Sequence, residues 1–231
     1  MRRKNGIPLD RVLKDLGKLY KPPKTFLHFR TPIDLLVAVI LSAQCTDARV
    51  NIVTETILYP KYKTPEDYVK VPRAELEKDI FSCGTYRMKA KHIQEMCHLV
   101  LQNFGGEIPK TMDELLTLPG VGRKTASVIL SAAFNINAGI AVDTHVQRLS
   151  QRLGLSNTDD VKKIEIDLMH AAPKARWRDV TVYLISHGRA VCTARNRQCG
   201  ACVFKKDCPS SLVIGRKDLA KPKKSGMGKR R

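Results

Sequence analysis

Residues 111–134 read TMDELLTLPGVGRKTASVILSAAF, and this stretch decides the fold. Residues 111–118 suit a short helix with Thr111 as its cap, because a threonine hydroxyl ahead of the first turn accepts one of the orphan backbone N–H groups. Pro119-Gly120-Val121-Gly122 cannot continue that helix, and residues 123–134 begin a second one at once. The pattern is a helix–hairpin–helix. Glycine at 120 and 122 permits a tight turn and leaves main-chain N–H groups at a helix N-terminus open to a phosphate. A bare turn between two helices is the plainer alternative. Here, however, basic residues follow the hairpin in a basic chain, which favours contact of Gly120, Val121, Gly122 and Arg123 with a DNA backbone.

Helical periodicity continues on both sides. Residues 8–20 place Leu9, Val12, Leu13, Leu16 and Leu19 on one face before Pro22 and Pro23 stop the run. Pro32 opens a segment, residues 33–41, that is apolar nearly all round and too short to span a bilayer, so it belongs in a core. Asp47 is expected to cap a helix over 48–59, and Pro65 starts another element. Residues 72–80 and 88–104 continue the series to a stop at Gly105-Gly106. Val146, Leu149 and Leu153 share a face ending at Gly154, residues 156–159 read as a capping box, and Val161, Ile164 and Leu168 face one way. Strand signals are nearly absent, so the fold class is all-α. At 231 residues, 43% hydrophobic, the chain buries one large core or two modest ones, with no repeat or low-complexity linker between them.

Composition says what such a fold would bind. With 41 Lys and Arg against 22 Asp and Glu, the formal charge is +19, a balance that points first to nucleic acid. Residues 215–231 account for +7 of this and Arg2, Arg3 and Lys4 for +3, so +9 belongs to the body. The C-terminal segment, rich in Lys, Gly and Pro, reads as a disordered basic arm, suited equally to phosphate contact and to solubility.

Cys192, Cys199, Cys202 and Cys208 place four thiols in seventeen residues, with gaps of six, two and five. That density asks for a metal centre, since an oxidising compartment is not indicated: no signal peptide, no membrane span, and an odd total of seven cysteines. Structural zinc sites set their ligands in close pairs, and only Cys199 and Cys202 form one. The longer gaps and Pro209 after the last cysteine favour an iron–sulfur cluster, with zinc as the alternative. Cys45, Cys83 and Cys97 are scattered and carry no assigned chemistry.

Four segments together resemble the endonuclease III family of helix–hairpin–helix DNA glycosylases with abasic-site lyase activity. They are Leu41-Ser42-Ala43-Gln44-Cys45-Thr46-Asp47, Leu118-Pro119-Gly120-Val121-Gly122-Arg123-Lys124-Thr125-Ala126, Ala141-Val142-Asp143-Thr144-His145-Val146, and Ser186-His187-Gly188-Arg189 leading into the cysteine loop. The matches run in order from about residue 30 to residue 210. The resemblance implies a six-helix domain over residues 25–137, containing the hairpin. It implies a second domain, residues 1–24 with 138–211, carrying a [4Fe–4S] cluster on the four cysteines, and a basic tail over 212–231. Double-stranded DNA with damaged bases or abasic sites would lie in the cleft between the domains. The expected molecule is a cytoplasmic, nucleoid-associated monomer that touches no membrane.

The resemblance also assigns Lys124 as nucleophile and Asp143 as its support. An amine attacking C1′ can form a Schiff base that permits β-elimination of the 3′-phosphate, which an oxygen nucleophile cannot do. The amine must first lose its proton. The helix N-terminus helps by only ~0.3–1 kcal/mol, so desolvation in a closed DNA complex must supply most of the effect. Asp143 would stabilise the sugar cation or accept that proton; before Thr144-His145-Val146 it is also a natural helix N-cap. Gln44 resembles the family's residue that enters the duplex when the base is flipped out, with a buried amide ending a core helix as the rival reading. His145 is within reach of a phosphate but stays off the catalytic list, and Arg195 and Arg197 lie where the cysteine loop would hold them against phosphates. Oxidised pyrimidines are the implied lesions. A monofunctional mismatch glycosylase, against which Lys124 argues, and a noncatalytic DNA-binding module are the competing functions.

Overall fold

A computed structural model describes residues 6–21 and 25–213; the expected basic tail, the Arg2–Lys4 charges and the Pro22-Pro23 stop lie wholly or mostly outside the described residues. Among those residues no strand occurs, and the fold is all-α. The helices are α1 (Leu9–Leu19), α2 (Pro32–Leu41), α3 (Asp47–Val53), α4 (Tyr59–Lys61), α5 (Pro65–Lys70), α6 (Arg73–Asp79), α7 (Tyr86–Phe104), α8 (Met112–Leu116), α9 (Arg123–Phe134), α10 (Thr144–Leu153), α11 (Val161–Ala171) and α12 (Trp177–Ala190). A π-helical segment, Thr54–Leu58, joins α3 to α4. None of these helices is long and apolar enough to cross a membrane.

Local chemistry sets the boundaries. Thr31 and Asp34 form a capping box around Pro32, which has no N–H to satisfy, and α2 is then buried nearly all round. Gly105 ends α7 in the left-handed conformation, at φ 60°. Two expected caps move by one residue or more. Thr46, not Asp47, accepts the Arg49 N–H at the start of α3, because the hydroxyl one residue earlier already fills the cap position. Asp160 caps α11, while Ser156 bonds Asp167 instead of making the expected capping box. Leu19 and Val161 are exposed rather than core residues, each lying at an end of its helix.

The buried side chains fall into two clusters. One draws on residues from Leu27 to Ala132 and centres on α2, which packs against α7 and α9. The other combines Ile7 to Leu16 with residues from Ile140 to Phe204, so α1 returns to pack on α11 and α12 although the first cluster separates them in sequence.

Candidate functional site

A cavity of about 360 Å³ lies where the two clusters meet. Its wall takes Gln44 from the turn after α2 and Asp47 from the start of α3, Gly120 and Lys124 from the hairpin, and Asp143 and Arg189 from the cap of α10 and from α12. Of the residues picked out in the sequence, Gln44, Gly120, Lys124 and Asp143 are thus brought together, while Val121, Gly122, Arg123, His145, Arg195, Arg197 and the cysteines are not part of this wall.

The hairpin explains where Lys124 goes. Gly120 sits at φ +78°, and a Cβ there would press on His92 at 3.3 Å, so both conformation and packing require glycine. Gly122 is different. Its φ of −94° suits any residue and a Cβ would meet nothing within 4 Å, so it keeps the N-terminus of α9 open rather than turning the chain. Val121 points inward, 7% exposed, in the first cluster. Arg123 pairs with Glu165 of α11 through two bonds of 2.8 and 3.2 Å, and so ties the hairpin to the second cluster. Lys124, one residue on, is exposed and faces the cavity.

Asp143 divides its carboxylate. Oδ1 accepts the His145 and Val146 N–H groups at 2.8 and 2.9 Å, capping α10, while Oδ2 has no hydrogen-bond partner among the described residues. Capping fixes the side chain and leaves the second oxygen available. His145 is held from the other side. Arg148 can only donate, so its 3.0 Å contact makes His145 Nδ1 an acceptor and places the ring proton on Nε2. Burial lowers its pKa; Asp143 opposes this, and Arg148, Arg189 and Lys124 add to it. The ring is therefore a neutral donor at pH 7.

Gln44 is exposed and stands at φ 54°, in the left-handed region, with no side-chain hydrogen bond among the described residues. The rival reading of a buried amide fails. Two partners that periodicity does not reveal frame the turn: Asp47, the first residue of α3, accepts from Arg189 of α12 at 2.5 Å, and the same guanidinium lies 4.3 Å from the Phe26 ring centroid. Lys89, buried at 4% exposure, donates to the carbonyls of Leu41 and Cys83 at 2.8 and 2.6 Å and anchors the end of α2 beneath that turn.

Cys192, Cys199, Cys202 and Cys208 line a second cavity, with Arg152, Arg197 and His187. No three His, Cys, Asp or Glu side chains among the described residues converge on a single-ion site. Arg197 donates to the Ser210 carbonyl at 3.0 Å, and Arg195 is exposed. His187, 1% exposed, stands behind Cys202 with its pKa brought down to about 4 by burial.

The chain as a whole is similar to known proteins. The family model described as HhH-GPD superfamily base excision DNA repair protein matches residues 37–174. The chain is 50% identical over 200 residues to endonuclease III of Synechocystis sp., covering 87% of this chain and 91% of that one. Against endonuclease III of Bacillus subtilis it is 46% identical over 210 residues, covering 90% and 95%. A solved structure of a trapped endonuclease III–DNA covalent intermediate superposes with a TM-score of 0.84 at 45% identity, covering 91% of this chain and 97% of that one. With a matching family model over residues 37–174 and relatives at 46–50% identity over most of both chains, the chain belongs to the endonuclease III family of HhH-GPD base excision DNA repair proteins.

Proposed function

We propose that Lys124 is the nucleophile and Asp143 its electrostatic partner in the DNA glycosylase and abasic-site lyase reaction of this family, acting on oxidised pyrimidines in duplex DNA. The observation that carries this is the single cavity that brings Lys124, Asp143 and Gln44 together from three distant stretches of chain. The two hydrophobic clusters are taken as the cores of two domains, residues 25–137 and residues 1–24 with 138–211, with DNA in the cleft between them.

The base leaves the stack, and Gln44, exposed on its strained turn, enters the space it vacates. Lys124 Nζ passes one proton to solvent as DNA closes over the cavity and bonds to C1′; the N-glycosidic bond breaks, its electron pair leaves with the base, and the base takes up the proton that the newly bonded nitrogen releases. Oδ2 of Asp143 faces the positive charge that develops on the sugar. Opening of the ring gives the Schiff base. Loss of a C2′ proton then expels the 3′-phosphate, and water releases the lysine. A relative trapped in covalent linkage to DNA supports such an intermediate.

The four cysteines fit a [4Fe–4S] cluster, for which they supply four thiolates around one cavity. When bound, the cluster would cross-link residues 192–208, and the protein's own contribution is to hold the basic side chains of that loop toward phosphates. Borohydride trapping tests the central assignment. A covalent adduct with abasic DNA that disappears in Lys124→Ala is expected; an active wild-type protein that gives no adduct would refute the Schiff-base route.

A further inference from the structure

His187 is sealed inside the second cluster and takes no part in the cleft, yet both of its ring nitrogens have partners. Nδ1 lies 3.0 Å from the Tyr20 hydroxyl, and Nε2 lies 3.4 Å from Cys202 Sγ. Tyr20 and Phe204 hold the ring edge-on, with centroids 6.0 and 5.8 Å away. Among the four cysteines the donors are unevenly placed. Cys202 also receives the Phe204 N–H at 3.4 Å, Cys192 receives Arg152 at 3.4 Å, and Cys208 faces the Arg152 carbonyl, an acceptor. Cys199 has no donor among the described residues.

We propose that His187 is a positioning residue for the iron–sulfur cluster, donating its Nε2–H to the Cys202 thiolate while Tyr20 donates to Nδ1 and fixes that tautomer. The inference rests on the cluster assignment above. A metal-bound thiolate carries no proton, so the hydrogen between Nε2 and Sγ must come from the ring. A neutral ring with its proton on Nε2 presents a bare Nδ1, which can only accept, and the tyrosine hydroxyl is the group placed to donate. The direction of the whole chain follows: Tyr20 O–H to Nδ1, Nε2–H to Sγ. Tyr20 is the C-terminal cap of α1, so the N-terminal helix is connected to one cluster ligand across 182 residues of sequence. Each N–H bond to a ligand sulfur draws electron density away from iron and stabilises the more reduced member of the cluster's one-electron couple.

The test is the midpoint potential of the loaded full-length protein, with iron and acid-labile sulfide measured first. His187→Phe keeps an aromatic ring between Tyr20 and Phe204 and deletes both nitrogens; its potential is expected to move to a more negative value. Tyr20→Phe is expected to shift it the same way by less, and His187→Gln, which retains an amide N–H, to recover part of the loss. Equal iron and sulfide content with an unchanged potential in His187→Phe overturns the proposal and leaves the cluster assignment standing. A parent protein without iron and sulfide overturns both. Should His187→Phe fail to load, Tyr20→Phe decides, and an unchanged potential at full loading overturns the proposal.

Discussion

Asp143 shows how one side chain serves two ends. Its Oδ1 is fully used by the first turn of α10, and only Oδ2 remains for the cleft. The two roles separate by substitution. An asparagine at this position would still cap the helix, so Asp143→Asn should leave the melting temperature nearly unchanged while single-turnover excision falls by at least about tenfold. Asp143→Ala should lose the cap as well, at about 1 kcal/mol in a denaturant titration. Equal stability loss in both variants would mean that the charge, not the cap, holds α10. Gln44 presents the converse case, a residue whose backbone is strained where its side chain is wanted. A non-glycine residue at φ 54° costs about 1 kcal/mol or more. Gln44→Gly should therefore be no less stable than the parent, yet slower at excision from duplex DNA than at cleavage of a preformed abasic site. The sequence pointed to both residues, but the left-handed backbone at Gln44 depends on anchors that lie elsewhere, Lys89 below and Arg189 across the cleft.

At the scale of elements, legibility follows the range of the interactions. The hairpin could be read almost to the residue, with Thr111 capping α8, Gly120 in the turn and α9 running from Arg123 to Phe134, because these features depend mainly on neighbours in sequence. The start of α3 could not, since Thr46 and Asp47 are both good caps and only the partner on α12 separates them: Asp47 is engaged by Arg189. Arg123 is the sharper lesson. Its place after the hairpin suggests a phosphate contact, whereas Glu165, 42 residues away and almost buried, holds its guanidinium. Arg123→Ala should cost about 1–3 kcal/mol by leaving that carboxylate without its partner, with little change in the salt dependence of DNA binding. A slope reduced by about 0.9 at unchanged stability would return Arg123 to the phosphates. The Asp47–Arg189 strap can be tested by exchange. Asp47→Arg and Arg189→Asp should each slow excision, and the double variant should recover part of the rate, which independent surface charges would not do.

For the whole molecule, the formal charge of +19 suits a polyanion, and the cysteine loop carries part of the basic charge. The metal centre we propose rests on the loop's own spacing, but the loop's moorings are remote: Phe204 is buried in the second cluster, Arg11 of α1 holds Asp207 at 2.7 Å, and Arg152 of α10 takes the Thr193 carbonyl at 2.8 Å. Neither arginine mooring could be inferred from the four cysteines, because each crosses at least 41 residues of chain. The two arginines of the loop are correspondingly unequal. Arg195 is exposed, whereas Arg197 is fastened to the Ser210 carbonyl at 3.0 Å and lines the cysteine cavity. If Arg195 meets a phosphate, Arg195→Ala should reduce the slope of log affinity against log salt by about 0.9, and should weaken damaged and undamaged duplexes alike, since a phosphate contact carries no base information. Arg197→Ala should instead loosen residues 197–210, so that iron is lost faster to a chelator and affinity falls as the loop does. The loss of the Ser210 bond cannot by itself change the number of phosphates neutralised, so freshly loaded Arg197→Ala should keep the parent's salt slope. Matching slope changes in the two variants would place both guanidiniums on DNA, and no change in either would leave the loop without a part in binding.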